Sequence, residues 1–302
     1  MIRLLDAPTR LIAWVIARLV DHGLLPDAFR YPFMAYGLEA ALVLSLLLGG
    51  MSHLVVARRL AFFSAALGHA ALTGLTIGIV LGEPLNGAYG GIFGFCFLSA
   101  LGMVYIRRRS ALPPDTLIGV FLAMTLGLGI CLLVAVTKQF NIHQIEAVMF
   151  GSILTVTGDD LRLLLAVAAV VGGILAWRYN AILLDSLSPP LARVAGVRTA
   201  FMEYLFVMLL TAAIVVSLKI IGALLVEALV IIPAASARNL ARGARSYFLW
   251  SVAIALAGSV GGLFVSAIPG VGVPSGGAIV LALSALFFAT LGAGAFFRKI
   301  GE

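Results

Sequence analysis

The sequence predicts an all-α membrane protein, a polytopic bundle of about eight or nine spanning helices. Of its 302 residues, 62% are hydrophobic and only 11% are charged. The apolar residues form runs of roughly 20, the length that crosses a bilayer as a helix, and they leave no room for a large soluble catalytic domain. The net charge of +7 comes from arginines clustered between these runs. Such clusters are typical of cytoplasmic loops, so the charge does not indicate nucleic-acid binding.

The first 32 residues differ from the rest of the chain. Their apolar stretch, Leu11 to Val20, is too short to span a bilayer and lies between Arg10 and Asp21. We therefore expect residues 1–32 to form an amphipathic segment at the membrane interface, and residues 33–302 to form the transmembrane domain.

Nine spans are predicted after this segment. They cover residues 36–57, 60–82, 88–107, 115–137, 161–178, 200–218, 220–237, 246–268 and 277–297. Arginines are concentrated in alternate connections, at Arg58 and Arg59, at Arg107 to Arg109, at Arg193 and Arg198, at Arg238, Arg242 and Arg245, and at Arg298. This alternation favours nine spans with the C-terminus in the cytoplasm.

Two connections are longer than the others. The connection 138–160, predicted outside, contains the apolar stretch IEAVMFGSIL, and we expect it to form a helix on the outer surface. The connection 180–199, predicted inside, contains Pro189-Pro190 followed by LARVAGV. Prolines favour the first turn of a helix, so this stretch predicts a short helix on the cytoplasmic face.

One span carries a carboxylate near its middle. Within Ile220 to Arg238, Glu227 is followed six residues later by Pro233, which has no N–H to donate to the carbonyl of Leu229. An ionisable group at this depth is costly unless it faces protein or water, which makes Glu227 a candidate for binding a cation. The alternative is that Glu227 hydrogen-bonds to a neighbouring helix and only fixes packing.

His69 lies near the middle of the second span, at a depth comparable to that of Glu227. An imidazole and a carboxylate in one cavity suit zinc, manganese or ferrous iron, and two ligands give the weak coordination that a transported ion needs. Spacing alone favours the alternative, a buried histidine bonded to a carbonyl or to Glu227. His53 and His143 are expected to be solvated. No phosphate-binding loop, Ser-His-Asp order or cysteine cluster is present, so no ATPase or hydrolase activity is expected.

Several stretches resemble the permease subunits of the ABC-3 family, the importers of zinc, manganese and iron. The matching stretches, in family order, are VVARRLAFFSAALGHAALTG at 55–74, DTLIGV at 115–120, FG at 150–151, SPPLARVAGV at 188–197 and GALLVEALVIIPAASAR at 222–238. The last stretch, with Gly222 and Pro233 as the residues that shape the helix, is the most specific. The resemblance implies a type II importer permease in a bacterial cytoplasmic membrane, with a divalent metal as substrate and no permanently bound cofactor.

The resemblance also implies partners. Two permease copies would form a homodimer with two ATP-binding subunits inside, and a metal-binding protein outside would deliver the ion. Leu191, Ala192 and Gly196 match the pattern of the family's cytoplasmic coupling helix, near 186–198, which docks on the ATPase. His69 matches the family's pathway histidine.

The sequence departs from the family pattern at one position. Many members carry an aspartate four residues before the histidine, where this chain has Ala65. We hypothesise that the carboxylate has moved to Glu227 on the seventh span. Two alternatives stay open, an ion-gradient-driven secondary transporter that uses Glu227 as a proton carrier, and a membrane scaffold or sensor without transport activity.

Overall fold

A computed structural model describes Arg18 and residues 31–83, 89–136, 153–268 and 273–300. The helices are α1 (Pro32–Ala57), α2 (Phe63–Val80), α3 (Tyr89–Arg109), α4 (Pro114–Val136), α5 (Gly158–Leu187), α6 (Pro189–Val194), α7 (Thr199–Ile221), α8 (Ala223–Leu240), α9 (Ala244–Ser266) and α10 (Ser275–Ile300), with a 3₁₀ turn at Ile153–Thr155.

The described residues confirm the predicted all-α, polytopic fold class. Nine of their helices, all except α6, are long and apolar enough to cross a membrane. The predicted interfacial segment 1–32 lies almost entirely outside the described residues, as do His143 and most of the predicted outer helix between residues 138 and 160.

The chain divides into two compact units. Unit 1 comprises residues 1–53, 151–169 and 220–302. Its helices α8, α9 and α10 pack against one another. Helix α1 packs against α9. This approach depends on small side chains, because a Cβ at Gly49 would lie 2.5 Å from that of Ala255. One turn earlier on α1, the Ser45 hydroxyl lies 2.8 Å from Ser259 Oγ.

Unit 2 comprises residues 54–150 and 170–219, and α2 is its central helix. It packs against both α3 and α4. The α2–α3 contact brings backbones together, since a Cβ at Gly74 would lie 2.5 Å from the carbonyl oxygen of Gly91. The α2–α4 contact includes a hydrogen bond of 2.8 Å from the Thr73 hydroxyl to the carbonyl oxygen of Thr125. Close backbone approach through small residues is the usual way that helices pack in a bilayer.

The connection predicted at residues 180–199 is shorter in the structure. Helix α5 continues to Leu187, beyond the predicted end of its span at residue 178, and only the pair Pro189-Pro190 begins a new helix, α6. Arg178 suggested a membrane boundary, but a charge at the end of an apolar run does not break a helix. Proline does, because it disfavours a helical backbone at the preceding residue.

Candidate functional site

His69 lies in the middle of α2, and its imidazole is only half-buried. Its Nδ1 atom is enclosed and has no hydrogen-bond partner among the described residues. The alternative, in which His69 only fixes packing, requires a hydrogen bond from its ring to a carbonyl or to Glu227. The described part of the chain contains no such bond. A ring nitrogen without a hydrogen bond can accept a proton or bind a metal ion.

Ala65 lies one helical turn before His69 and is also half-buried. Positions four residues apart share a face of a helix. An aspartate at residue 65 would therefore accompany the imidazole on the same face of α2, whereas the methyl group of alanine contributes no ligand.

Glu227 lies in α8, one turn after its first residue, and is also half-buried. Its carboxylate has no hydrogen bond or ion pair among the described residues. Pro233 is buried inside the same helix, which continues past it. Because proline has no N–H, the carbonyl of Leu229 lacks its helical hydrogen bond. Residues two apart do not share a face of a helix, so this carbonyl does not lie beside the Glu227 side chain.

Gly222 separates α7 from α8. Its φ of +80° lies in the region that is open to glycine but strained for other residues. The chain thus stops α7 at Ile221 and begins α8 directly afterwards. The start of α8, and with it the position of Glu227, depends on this glycine.

The described residues contain no group of three or more His, Cys, Asp or Glu side chains able to hold a metal ion. His69 belongs to unit 2 and Glu227 to unit 1. Each is described within its own unit, so their predicted meeting in one cavity stays a prediction. A tight structural zinc site has four ligands, and a pair of ligands is appropriate only to an ion in transit.

Helix α6 carries the residues predicted to contact an ATPase. Leu191 is 61% exposed, whereas Ala192 is fully buried and anchors the helix. Gly196 has a φ of +77°. Two hydrogen bonds close the helix end, from the N–H of Val197 to the carbonyl of Ala192 (2.9 Å) and from the N–H of Gly196 to that of Arg193 (3.0 Å). This arrangement is the Schellman motif, so Gly196 shapes the end of α6.

A buried ion pair fixes the chain just before α6. Arg58, in the α1–α2 turn, lies 2.9 Å from a carboxylate oxygen of Asp185 in the last turn of α5, and both side chains are 6% exposed. Arg58 also donates to Ser186 Oγ at 2.7 Å and stacks on the ring of Phe206, 4.7 Å from its centroid. Burial lowers the pKa of Arg58, although the carboxylate beside it acts in the opposite sense.

Sequence reasoning missed a fully buried ionisable residue in a span. Glu39, in α1, is 1% exposed, and neither of its carboxylate oxygens has a hydrogen-bond partner among the described residues. An acid within an apolar run was the available signal, the same one that identified Glu227.

The expectation that His53 is solvated was wrong. Its side chain is 1% exposed and packs edge-on against the rings of Tyr247 and Phe248, with centroids 5.9 and 5.4 Å away. The side chain of His53 is therefore covered by α9, a contact that a single sequence does not reveal.

These features define a multi-pass membrane protein. Its spanning helices carry His69 and Glu227 as candidate ion ligands, and its short helix α6 follows a buried ion pair. Comparisons with known proteins give the family. Residues 30–293 match the model of the ABC 3 transport family. The chain belongs to this family, as its resemblance predicted.

Individual relatives cover most of the chain. The zinc uptake protein ZnuB of Haemophilus influenzae is 31% identical over 76% of this chain and 86% of its own. The manganese import permease ScaB of Streptococcus gordonii is 31% identical over 85% of this chain and 90% of its own. Among solved structures, PsaBC from Streptococcus pneumoniae is 27% identical, with a TM-score of 0.74 over 91% of this chain and 95% of that one.

Proposed function

We propose that this chain is the permease subunit of an ATP-binding-cassette importer that moves a divalent transition-metal ion, zinc, manganese or iron, into the bacterial cytoplasm. Relatives named for zinc uptake and manganese import support the substrate class. The observation that carries the proposal to this chain's own residues is the imidazole of His69, half-buried in a spanning helix with a nitrogen that no described residue uses.

The chemistry of passage follows from these ligands. A divalent ion leaving water must have part of its hydration shell replaced, and a neutral imidazole does this for zinc, manganese and ferrous iron. Few ligands keep the complex weak enough for release. The second ligand would be the Glu227 carboxylate, which has no other described partner. Its negative charge would offset part of the ion's charge in a medium where an unpaired charge is costly.

The energy for transport would come from outside this chain. The proposed assembly has two permease copies in the cytoplasmic membrane, two ATP-binding subunits inside and a metal-binding protein outside. The ATP-binding subunits would hydrolyse ATP. Their movement would displace α6 and switch the cavity between outward and inward access.

The test is the metal content of cells. Cells that produce the chain, cells that lack it and complemented cells would be grown in metal-poor medium and analysed for zinc, manganese and iron together. The proposal expects one of these metals to fall in the cells that lack the chain and to recover on complementation. Equal contents of all three metals in the three strains would contradict it.

A further inference from the structure

An open groove runs along the first turns of α9, within unit 1, and has a volume of about 740 Å³. Its lining includes Arg245, Ser246, Leu249, Trp250 and Ala253. The arginine distribution assigns this end of α9 to the cytoplasmic side, and α9 is long and apolar enough to cross a membrane. The groove therefore begins at the inner membrane surface and continues toward the middle of the bilayer.

The two faces of α9 differ in what covers them. On the face that packs against α1, Ser251, Ala255 and Ser259 are at most 1% exposed. On the face that carries the groove, Leu249 is 56% exposed and Trp250 is 44% exposed. Large apolar side chains on the outer face of a spanning helix are in contact with lipid. The groove is thus a concave part of the surface that the bilayer meets.

The order of chemical groups along the groove matches that of a phospholipid. Arg245 supplies a guanidinium at the surface, Ser246 supplies a hydroxyl, and apolar surface follows as far as Ala253. The helix rises about 12 Å between Arg245 and Ala253, which is close to the thickness of one hydrocarbon leaflet, about 15 Å. A phospholipid entering from the same side presents its phosphate, its ester groups and its acyl chain in this order.

The charge at the mouth of the groove has no counter-charge. Arg245 is exposed and has no acidic partner among the described residues. Arg238 and Arg242 precede it, and the sequence after Glu227 contains no other acid than Glu302. A guanidinium binds phosphate oxygens through two parallel N–H donors. An anionic lipid would supply the missing charge, whereas a zwitterionic lipid carries an ammonium group that already balances its phosphate.

Two protein occupants suit the groove less well. A soluble protein would reach Arg245 but not Ala253, which lies below the membrane surface. A second copy of this chain, meeting the groove across a two-fold axis, would bring the same surface of both copies together. The arginines of both copies would then lie close to one another, and like charges oppose such a contact.

We infer that this groove binds one anionic phospholipid of the cytoplasmic leaflet, with its phosphate on Arg245 and an acyl chain along Leu249, Trp250 and Ala253. The inference goes beyond the proposed function, because it involves neither the transported metal nor a partner subunit. It depends only on the described surface of α9.

The fluorescence of Trp250 reports which lipid occupies the groove. The chain has three tryptophans, and the substitutions Trp14→Phe and Trp177→Phe leave Trp250 as the only one. This full-length protein would be reconstituted in vesicles of phosphatidylcholine and phosphatidylglycerol in equal amounts. Bromine atoms quench indole fluorescence at short range, and they would be placed on the acyl chains of one lipid or of the other.

The test variant is Arg245→Gln in the same background. The matched control is Arg193→Gln, an equal change of charge at an exposed arginine of unit 2 on the same predicted side. Neither substitution alters a buried side chain, so both proteins should fold like wild type.

Brominated phosphatidylglycerol should quench Trp250 more strongly than brominated phosphatidylcholine. The ratio of the two binding constants should be about five, the effect of one arginine near an anionic membrane surface. In Arg245→Gln the ratio should fall close to one, because an amide does not attract the lipid's net charge. In Arg193→Gln it should stay as in the parent protein.

Four outcomes would overturn the inference. Equal quenching by the two brominated lipids shows that the groove does not select negative charge. A ratio unchanged in Arg245→Gln shows that this arginine does not hold the phosphate. An equal loss in Arg193→Gln shows that only the overall charge of the protein matters. Absence of quenching by either lipid shows that protein, such as a second copy of this chain, covers the groove.

Discussion

At the scale of single residues, Arg58 and Glu203 represent two different kinds of ion pair. Arg58 and Asp185 are both almost fully buried and have additional partners in Ser186 and Phe206. Glu203 lies 3.5 Å from Arg107 and 3.0 Å from Arg108. Its side chain is 16% exposed, and those of the two arginines are 25% and 36% exposed. Removing one member of a buried pair leaves an uncompensated charge, whereas water compensates a partly exposed one.

The variant Asp185→Asn tests this difference. It should lower the free energy of unfolding by about 3 kcal/mol, because the Arg58 guanidinium would stay buried without its counter-charge. The matched variant Glu203→Gln should cost less than about 1 kcal/mol. Denaturant unfolding of the purified protein in detergent measures both. Equal costs for the two variants would show that the Arg58 pair is solvated and does not anchor α6.

Glu227→Gln tests the hypothesis that Glu227 on α8 takes the place of the aspartate that the family resemblance predicts at residue 65. The substitution keeps the shape of the side chain and removes its charge. We expect metal uptake to fall, because a neutral amide offsets none of the ion's charge. Uptake by cells with equal amounts of membrane-inserted protein is the measurement. Unchanged uptake in Glu227→Gln, with uptake lost in His69→Ala, would end the relocation hypothesis.

Sequence reasoning identified some of the polar residues and missed others for a physical reason. His69 and Glu227 stand out because each is the single ionisable residue in a long apolar run. Glu39 carries the same signal and was overlooked. The partners of Arg58 and the burial of His53 could not be predicted, because they depend on contacts between helices far apart in sequence.

At the scale of elements, α6 is defined by its two ends. Pro189-Pro190 begin it, and Gly196 closes it through a Schellman motif. Gly196 was predicted from the family pattern as a docking residue, and the structure gives it a conformational role. Its substitution would therefore strain the backbone as well as alter any contact, and an exposed side chain on α6 is a sharper test of docking.

Leu191→Asp is that sharper test. It should lower the ATPase stimulation of the assembled complex, because a charged carboxylate would replace the exposed apolar side chain proposed to contact the ATP-binding subunit. It should leave thermal stability unchanged, because Leu191 is 61% exposed. Gly196→Ala should instead cost about 1 kcal/mol of stability through its positive φ. ATPase assays and thermal unfolding of both variants separate the two roles. Full stimulation in Leu191→Asp would remove α6 from the coupling contact.

The packing of α2 against α3 gives a prediction about close approach. Gly74→Ala should destabilise the protein by about 1–3 kcal/mol, because its Cβ would meet the Gly91 carbonyl and force the helices apart. Gly94→Ala is the matched control on α3, since a Cβ there meets no atom within 4 Å. Thermal unfolding in detergent compares them. If both variants unfold like wild type, the backbones of α2 and α3 are not in contact.

Elements were predicted well where hydrophobicity alone defines them. All nine predicted spans correspond to described helices, because a run of apolar residues determines both the secondary structure and its place in the membrane. The predicted end of the fifth span, residue 178, was wrong by nine residues, because helix α5 continues to Leu187. A charged residue marks a membrane boundary, whereas the helix beneath it ends only where its hydrogen bonds end.

At the scale of the whole molecule, composition and arginine placement predicted a multi-pass helical protein, and the family match extends this to residues 30–293. The two compact units could not be predicted. Helices α1 and α5 each begin in unit 1 and end in unit 2, so the division does not follow the order of the spans. His69 and Glu227 belong to different units, and spacing along the sequence does not determine whether two such residues meet.

The most direct test of the account is metal uptake by cells that carry His69→Ala. The amount of the variant in the membrane, and its binding to the ATP-binding subunit, should equal those of wild type, because the imidazole forms no hydrogen bond that the described fold uses. Uptake of the metal identified by cell analysis should fall to the level of cells lacking the chain. Wild-type uptake in His69→Ala would contradict the claim that this imidazole binds the passing ion.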